Sequence, residues 1–174
     1  ASNTPVMLEV RVRACHMHGA FRTKNNVRPS YTIRDALENP IRDLGRIVLP
    51  PAAYEHEREK IARRFPAAID FVKRHRLNET MGPQESKVGI ILQGGMYNNV
   101  IRALQYLGLS DAYGRTQVAL YVMNVTYPVI EDEVEAFCSD KEHVIVVEES
   151  QPEYIEQAVN TALRRRTISA RVRG

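Results

Sequence analysis

The stretch VGIILQGG, residues 88–95, decides the fold. Its first five residues carry no polar alternation, which is typical of a strand covered on both faces in a parallel sheet. Two more runs have this character, QVALYVM at 117–123 and HVIVVEE at 143–149, and an amphipathic helical pattern follows each of the three. This spacing predicts an α/β fold with three layers, a Rossmann-like parallel sheet between helices, and TISARVR near the C-terminus predicts a closing strand.

The residues before this pattern predict a strand and a helical arm. Pro5–Arg13, PVMLEVRVR, alternates apolar and other residues with a period of two, which predicts a half-buried strand. A short helix is expected from Ile33 to about Leu44, with an interruption at Pro40, and a long one is expected over Ala52–Leu77 that Pro66 kinks or splits. Asn78–Glu85, NETMGPQE, predicts a linker.

The composition excludes several classes of protein. A net charge of +3 is too small to indicate a nucleic-acid partner by itself. Cys15 and Cys138 form no CxxC or CxxH pair, so we expect no zinc site or iron–sulfur cluster and interpret both as small buried residues in a reducing cytosol. No apolar run approaches the ~20 residues of a membrane span, and no signal peptide is recognised, so we expect a cytoplasmic protein.

Polar residues follow each predicted buried strand. Parallel α/β sheets bind ligands at the carboxyl ends of their strands, so these residues predict one binding or docking edge. The pair Gly94–Gly95 before a helix is compatible with an anion site, but we favour an ordinary turn because a lone GG is a weak motif. The absence of GxGxxG argues against a dinucleotide site. The edge residues are Gln93, Gly94, Gly95, Tyr97, Asn98, Asn124, Thr126, Tyr127, Pro128, Glu148, Glu149 and Ser150.

Three further groups have a chemical and a plainer interpretation. Glu148 and Glu149 are adjacent carboxylates, but successive strand residues point to opposite faces, so we expect one hydrogen-bonded and one solvated glutamate. His16 and His18 have the spacing of a metal pair, and we interpret them as loop histidines. We interpret the basic runs as solvated helix ends rather than phosphate contacts; they are Lys73, Arg74, His75, Arg76 and Arg164–Arg166.

Four stretches, in this order, resemble the α subunit of indolepyruvate:ferredoxin oxidoreductases, which are thiamine-diphosphate-dependent 2-oxoacid oxidoreductases. PVMLEVRVRACH resembles the strand that closes the pyrimidine-binding domain of this family. VGIILQGGMYNNVIRAL resembles the opening of the next domain, VMNVTYPVIEDEVEAF its second strand, and HVIVVEES a later strand end. The residues at family-motif positions, to which we assign no catalytic, cofactor-binding or metal-binding role, are Arg13, His16, Gly94, Tyr97, Asn98, Thr126, Tyr127, Pro128, Glu148 and Glu149.

The resemblance divides the chain into three parts. Residues 1–26 correspond to the end of a pyrimidine-binding domain, 27–84 to a helical arm and linker, and 85–174 to an α/β domain like the transketolase C-terminal domain. It implies a parent enzyme that oxidatively decarboxylates aryl 2-oxoacids with thiamine diphosphate, magnesium and iron–sulfur clusters. The GDG metal-diphosphate motif and the cluster cysteines are missing here. We therefore expect a fragment or dependent subunit that is inactive alone and holds no cofactor.

Partners follow from the same resemblance. The implied partners are other domains or subunits of the parent oxidoreductase, and ferredoxin through the parent. Self-association to a homodimer is expected because the strand at residues 5–13 lacks its neighbours and the arm carries an apolar stripe of Tyr54, Ile61, Phe65, Ile69 and Val72. The alternative is a free-standing Rossmann-like ligand-binding module. A nucleic-acid-binding protein is disfavoured by the modest charge.

Overall fold

The structure is a computed structural model that describes residues 4–10, 12, 22, 32–40, 49–149 and 152–174. The chain forms two compact units, Ala1–Pro66 and Ala67–Gly174. Each unit is described by itself below.

In the first unit, residues 4–10 form no strand. Their apolar side chains, Val6, Met7 and Leu8 among them, are exposed. The predicted strand at Pro5–Arg13 is therefore wrong for residues 5–10, and Arg11 and Arg13 lie outside the described residues. The physical reason is that a two-residue alternation becomes a strand only when a neighbouring strand accepts its backbone hydrogen bonds, and no strand pairs with residues 4–10 in the structure described.

The first helix, α1, spans Ile33–Glu38 and begins at a capping box. The Asp35 backbone N–H donates to Thr32 Oγ1 (3.2 Å), and the Thr32 backbone N–H donates to Asp35 Oδ2 (2.7 Å). The helix ends before Asn39, which is earlier than the predicted Leu44, because a residue that precedes a proline is disfavoured in helical conformation and Pro40 follows. Residues 41–48 lie outside the described part of the chain.

The long predicted helix is interrupted by a π-helical turn that ends two residues before Pro66, so Pro66 itself lies in the first turn of the following helix. Helix α2 spans Ala52–Glu59, a π-helical turn covers Lys60–Arg64, and helix α3 spans Phe65–His75. The Phe65 N–H donates to the Lys60 carbonyl, five residues earlier. A proline has no N–H, and its ring collides with a carbonyl in the preceding α-helical turn, so a widened turn next to Pro66 is a physically reasonable accommodation.

The second unit contains a five-stranded sheet in the order β1-β3-β2-β4-β5. Strand β2 pairs in parallel with β3 and β4, β4 pairs in parallel with β5, and β1 pairs antiparallel with β3. The predicted parallel sheet and the closing strand are confirmed. The strands span Glu79–Met81 (β1), Val88–Gln93 (β2), Ala119–Met123 (β3), His143–Val147 (β4) and Arg171–Arg173 (β5).

Helices lie on both faces of the sheet, which confirms the three-layer, Rossmann-like α/β fold. Helix α4, Tyr97–Tyr106, packs its apolar side on Ile90, Leu92, Leu120 and Val122. Helices α5, Glu131–Cys138, and α6, Tyr154–Arg165, cover the opposite face. The two faces have separate apolar clusters, so the sheet is the middle layer of this unit.

The predicted linker at Asn78–Glu85 is wrong for its first half, because Glu79–Met81 is the edge strand β1. Thr80 lies opposite Tyr121 in the pairing with β3. Gly82 follows with φ of +74°, and a Cβ there would overlap the Val118 carbonyl oxygen. Asn, Gly and Pro mark turns, but they do not show that a short segment between turns adds to a sheet, since pairing depends on a distant strand. The domain boundaries at residues 26 and 84 stay predictions.

Two glycines test whether this segment belongs to the folded unit. Gly82 and Gly108 both have positive φ, but only Gly82 lies against backbone atoms, whereas a Cβ on Gly108 meets open space. Gly108→Ala should lower the free energy of unfolding by about 1 kcal/mol, the cost of a left-handed alanine. Gly82→Ala should cost clearly more, about 3 kcal/mol, because overlap is added. Urea denaturation measures both, and equal losses would contradict the packing of Gly82.

Burial determines the acid–base behaviour of Cys138, which lies in the cluster under α5 and α6. Burial raises the pKa of its thiol from 9.0 to about 12. Burial, with the hydrogen bond to Glu133, also raises the pKa of Tyr121. The interpretation of Cys138 as a small buried residue is confirmed, and Cys15 lies outside the described residues.

The stability of the protein should therefore fall in alkali. The unfolded chain releases the thiol proton near pH 9 while folded Cys138 keeps it to about pH 12, so the free energy of unfolding falls as the pH rises through this range. The slope from one such group reaches about 1.4 kcal/mol per pH unit. Cys138→Ala should flatten the decrease between pH 9 and 10, measured by urea denaturation at each pH. An unchanged slope in the variant would contradict this assignment.

Candidate binding edge at the carboxyl ends of the strands

The carboxyl ends of β2, β3 and β4 lie along one edge of the sheet, because these strands are parallel. Strand β2 leads into α4 on one face, whereas its neighbour β4 leads into α6 on the opposite face. Such a reversal of direction between adjacent strands leaves a crevice in which α/β proteins bind ligands. The residues after β2 and after β4 therefore border the candidate binding site.

Hydrogen bonds within the domain connect the two sides of this crevice. The Glu149 backbone N–H donates to Gln93 Oε1 (2.9 Å), which links the end of β4 to the end of β2. The Glu148 carboxylate accepts hydrogen bonds from the backbone N–H groups of Ile155 (2.9 Å) and Glu156 (3.1 Å) in the first turn of α6. The N-terminus of α6 is thus occupied by a carboxylate from its own chain.

The adjacent glutamates at the end of β4 have different environments. Glu148 is half-buried and hydrogen-bonded to α6, while Glu149 is exposed. This geometry supports the interpretation of one structural and one surface glutamate. The carboxylates of Glu148 and Glu149 are therefore not arranged to act together on one substrate atom.

Gly94 is required by packing between the turns after β2 and β3. A Cβ at this position would overlap Asn124 Oδ1. The Asn124 Nδ2 group donates to the Leu77 carbonyl (2.8 Å), and this hydrogen bond fixes the amide beside Gly94. The glycine therefore permits a side chain of the same domain to approach the backbone, which supports the interpretation of an ordinary turn.

The remaining predicted residues lie along the same edge with varying exposure. Tyr97 begins α4 and packs partly against the core, whereas Asn98 beside it is exposed. After β3, Thr126 and Tyr127 are exposed, and Pro128 is half-buried after a cis peptide bond. The structure thus brings the residues predicted after β2, β3 and β4 to one edge. The predicted positions outside the described residues are Arg13, Cys15, His16, His18 and Ser150.

A buried polar network lies beneath this edge, and it was not predicted from the sequence. Asn78 Oδ1 accepts from the Val125 N–H (2.9 Å), and Asn78 Nδ2 donates to Tyr121 Oη (3.0 Å) and Glu133 Oε2 (2.9 Å). The Tyr121 hydroxyl in turn donates to Glu133 Oε2 (2.7 Å). The available signal was a tyrosine inside a fully apolar strand, since a buried phenol needs a hydrogen-bond partner.

Three residues of the basic runs at helix ends pair with acidic residues of α5, and Arg74 Nε donates to the Asp70 carbonyl of its own helix (3.4 Å). Lys73 pairs with Asp132, and Arg166 pairs with Asp132 (3.1 Å) and Glu135 (3.3 Å). Arg165 pairs with Glu131 (2.7 Å). Exposed pairs contribute about 0–1 kcal/mol each. They support the interpretation of helix-end charges over a phosphate site.

Other site types are not found in the part of the chain that the structure describes. No three His, Cys, Asp or Glu side chains among those residues are grouped so that they could hold a metal ion. None of the described helices has the length and apolar character of a membrane span. A shallow depression of 410 Å³ lies along the last turns of α6, at the opposite edge of the sheet, and its lining includes Leu163, Arg164 and Ile168.

The fold and the edge define an α/β domain in which the polar groups beside the crevice bind the domain's own backbone. Residues 78–174 match the profile of the indolepyruvate oxidoreductase domain, and the chain belongs to this family. It is 29% identical over 150 residues to indolepyruvate oxidoreductase subunit IorA of Methanothermobacter thermautotrophicus, which covers 85% of this chain. It is 30% identical over 147 residues to the subunit of the same name from Methanothermobacter marburgensis, covering 83% of this chain. The matches span 22% of each relative's length.

A structural role for Glu148 predicts a loss of stability when its carboxylate is removed. Glu148→Ala should lower the free energy of unfolding by about 1 kcal/mol, because two N–H groups of α6 lose their acceptor. Glu142→Ala is the matched control: it removes the same charge from an exposed residue before β4 and should change stability by less than about 0.5 kcal/mol. Chemical denaturation measures both variants. Equal values for the two would show that Glu148 does not support α6.

Proposed function

We propose that this chain is a non-catalytic structural domain of an indolepyruvate:ferredoxin oxidoreductase. The supporting observation is the closed carboxyl edge, where Glu148, Gln93 and Asn124 all bind backbone groups of their own domain. A catalytic acid, base or nucleophile must reach a substrate or cofactor atom, and these side chains are already engaged elsewhere. The family membership supports the assignment to this enzyme.

We propose that the cofactors lie in other parts of the parent enzyme. A magnesium–diphosphate site needs several oxygen ligands around the cation, and Glu148, the half-buried carboxylate at the crevice, caps α6 instead. An iron–sulfur cluster bound by four cysteines cannot be formed from Cys15 and Cys138, the two cysteines of this chain. Thiamine diphosphate and iron–sulfur clusters therefore do not fit the residues present here, and no reaction step is assigned to them.

The proposed role is support and assembly. The two relatives are subunits by name, which favours other subunits or domains of the oxidoreductase as partners of this domain. The parent is proposed to decarboxylate an aryl 2-oxoacid and to pass electrons to ferredoxin in the cytoplasm. The second candidate, a free-standing ligand-binding module, would use the crevice between β2 and β4. The hydrogen bond from Glu149 to Gln93 across this crevice disfavours it.

Titration calorimetry tests both candidates. With thiamine diphosphate and Mg²⁺ at micromolar concentrations, we expect no saturable binding to the 174-residue chain and no visible iron–sulfur absorbance after purification. A binding module should instead gain thermal stability with its ligand through mass action. Saturable binding of thiamine diphosphate would contradict the proposed function. If saturable binding were seen, the variants Gln93→Ala and Glu142→Ala would locate it. Loss of binding in Gln93→Ala, with binding kept in Glu142→Ala, would indicate that the ligand lies in the crevice.

A further inference from the structure

The two faces of the sheet are covered unequally. Helices α5 and α6 cover one face, and α4 is the helix that contributes to the apolar cluster on the other face among the described residues. Neighbouring strands are about 4.8 Å apart, so five strands span about 19 Å. A packed helix occupies about 10 Å, which is enough for two or three strands. The cluster under α4 is centred on β2 and β3, and none of the helices in the described residues of the second unit packs over the part of this face formed by β4 and β5.

The burial of side chains along one row of the sheet shows where the cover ends. Leu120, Ile90, Ile145 and Arg173 are register partners on the α4 face, in the order β3, β2, β4 and β5. Their exposed fractions increase from 0% at Leu120 to 7% at Ile90 and 45% at Ile145, and Arg173 is exposed. A branched apolar side chain is thus left accessible in the interior of a parallel sheet, where both faces are normally covered.

The next row shows the same change. Val88, His143 and Arg171 are register partners on β2, β4 and β5, and all three are exposed, Val88 at 37%. We call these residues together with Ile145 and Arg173 the open face. Its centre is apolar, its outer border carries two guanidinium groups and one imidazole, and none of its five residues is acidic.

We propose that the open face is the docking site of an amphipathic helix from a partner polypeptide, with an apolar stripe bordered by acidic residues. A helix is the element that normally covers a parallel sheet, and Ile145 and Val88 would pack under its apolar stripe. Arg171 and Arg173 would pair with carboxylates along its border, since guanidinium and carboxylate form strong bidentate contacts. The proposal depends on the geometry of the sheet and does not require the domain to be non-catalytic.

A second copy of this chain fits the open face less well. In a two-fold symmetric contact the same patch is used on both copies, so the interface would contain the guanidinium groups of Arg171 and Arg173 twice and, from these five residues, no carboxylate. Like charges at a contact are unfavourable and suppress that pairing. The charge border therefore selects an acidic partner over self-association through this face.

Two designed peptides test the proposal on the 174-residue chain. Each is about 18 residues long, so that a helix forms, and both carry the same leucine stripe, bordered by glutamate in one and by lysine in the other. In a fluorescence anisotropy titration, the glutamate-bordered peptide should bind saturably and the lysine-bordered one should not. A single-stranded oligonucleotide is the third probe, and it should compete poorly because it has no apolar stripe to cover Ile145.

Variants assign the binding to the open face. The double variant Arg171→Glu with Arg173→Glu should lower the affinity for the glutamate-bordered peptide at least about tenfold, and Ile145→Glu should lower it by the same factor. Arg164→Glu, which reverses the charge of one exposed residue on α6 over the opposite face, should keep the affinity within about twofold. If the charge-reversal variant does not fold by circular dichroism, Arg171→Gln with Arg173→Gln replaces it and should weaken binding by a smaller factor.

Several results would contradict the assignment of the open face to an acidic helix. Equal binding of the two peptides, no saturable binding of the acidic peptide, or equal competition by the oligonucleotide would overturn the proposal. So would a dimer in sedimentation that Ile145→Glu dissociates, since the face would then belong to a second copy. None of these results bears on thiamine diphosphate binding, so this proposal and the proposed function fail separately.

Discussion

Strand β2 has to be buried from both faces, and the rest of the second unit is arranged around that requirement. Ile91 and Leu92 point to opposite sides of the sheet and are both fully buried. Because β3 and β4 pair in parallel on either side, the chain must cross over the sheet between strands, and helices make those crossovers. The crossover after β2 places α4 on one face, and those after β3 and β4 place α5 and α6 on the other. The crevice between β2 and β4 follows from this reversal.

The same arrangement explains why the crevice is closed by the domain itself. A parallel sheet ends with backbone groups that need partners, and a helix that starts nearby adds unpaired N–H groups. Here Glu148 satisfies the start of α6, and Gln93 satisfies the backbone at Glu149. Residue types that serve as ligands or catalysts in other α/β proteins serve here to complete the fold. This use of polar side chains is the basis of the structural role that we propose for the domain.

The polar network around Asn78 joins the edge strand to the body of the domain. Asn78 connects the residues just before β1 to Tyr121 of β3 and Glu133 of α5, and its side-chain Oδ1 accepts a hydrogen bond from the Val125 N–H. Farther along, the buried Lys141 donates to the Gln84 carbonyl (2.5 Å), so the end of this segment is held as well. A segment rich in turn residues is thereby made part of the folded unit. Its stability comes from side chains that lie 40 to 60 residues away in sequence, at separations of 43, 55 and 57.

The parallel α/β core, its three long strands, an irregular helical arm near Pro66 and the edge at which the polar residues meet could all be predicted from the sequence. These features follow from local periodicity, from proline geometry and from the rule that parallel strands end together. Four features are visible in the folded chain alone: Glu79–Met81 is a strand, residues 5–10 are not, Glu148 caps α6, and Ile145 is left uncovered. The two strand outcomes and the exposure of Ile145 depend on which distant partner is present to accept a hydrogen bond or to cover an apolar side chain. The cap by Glu148 depends on the path of the turn between β4 and α6, and a local pattern of residues contains none of this information.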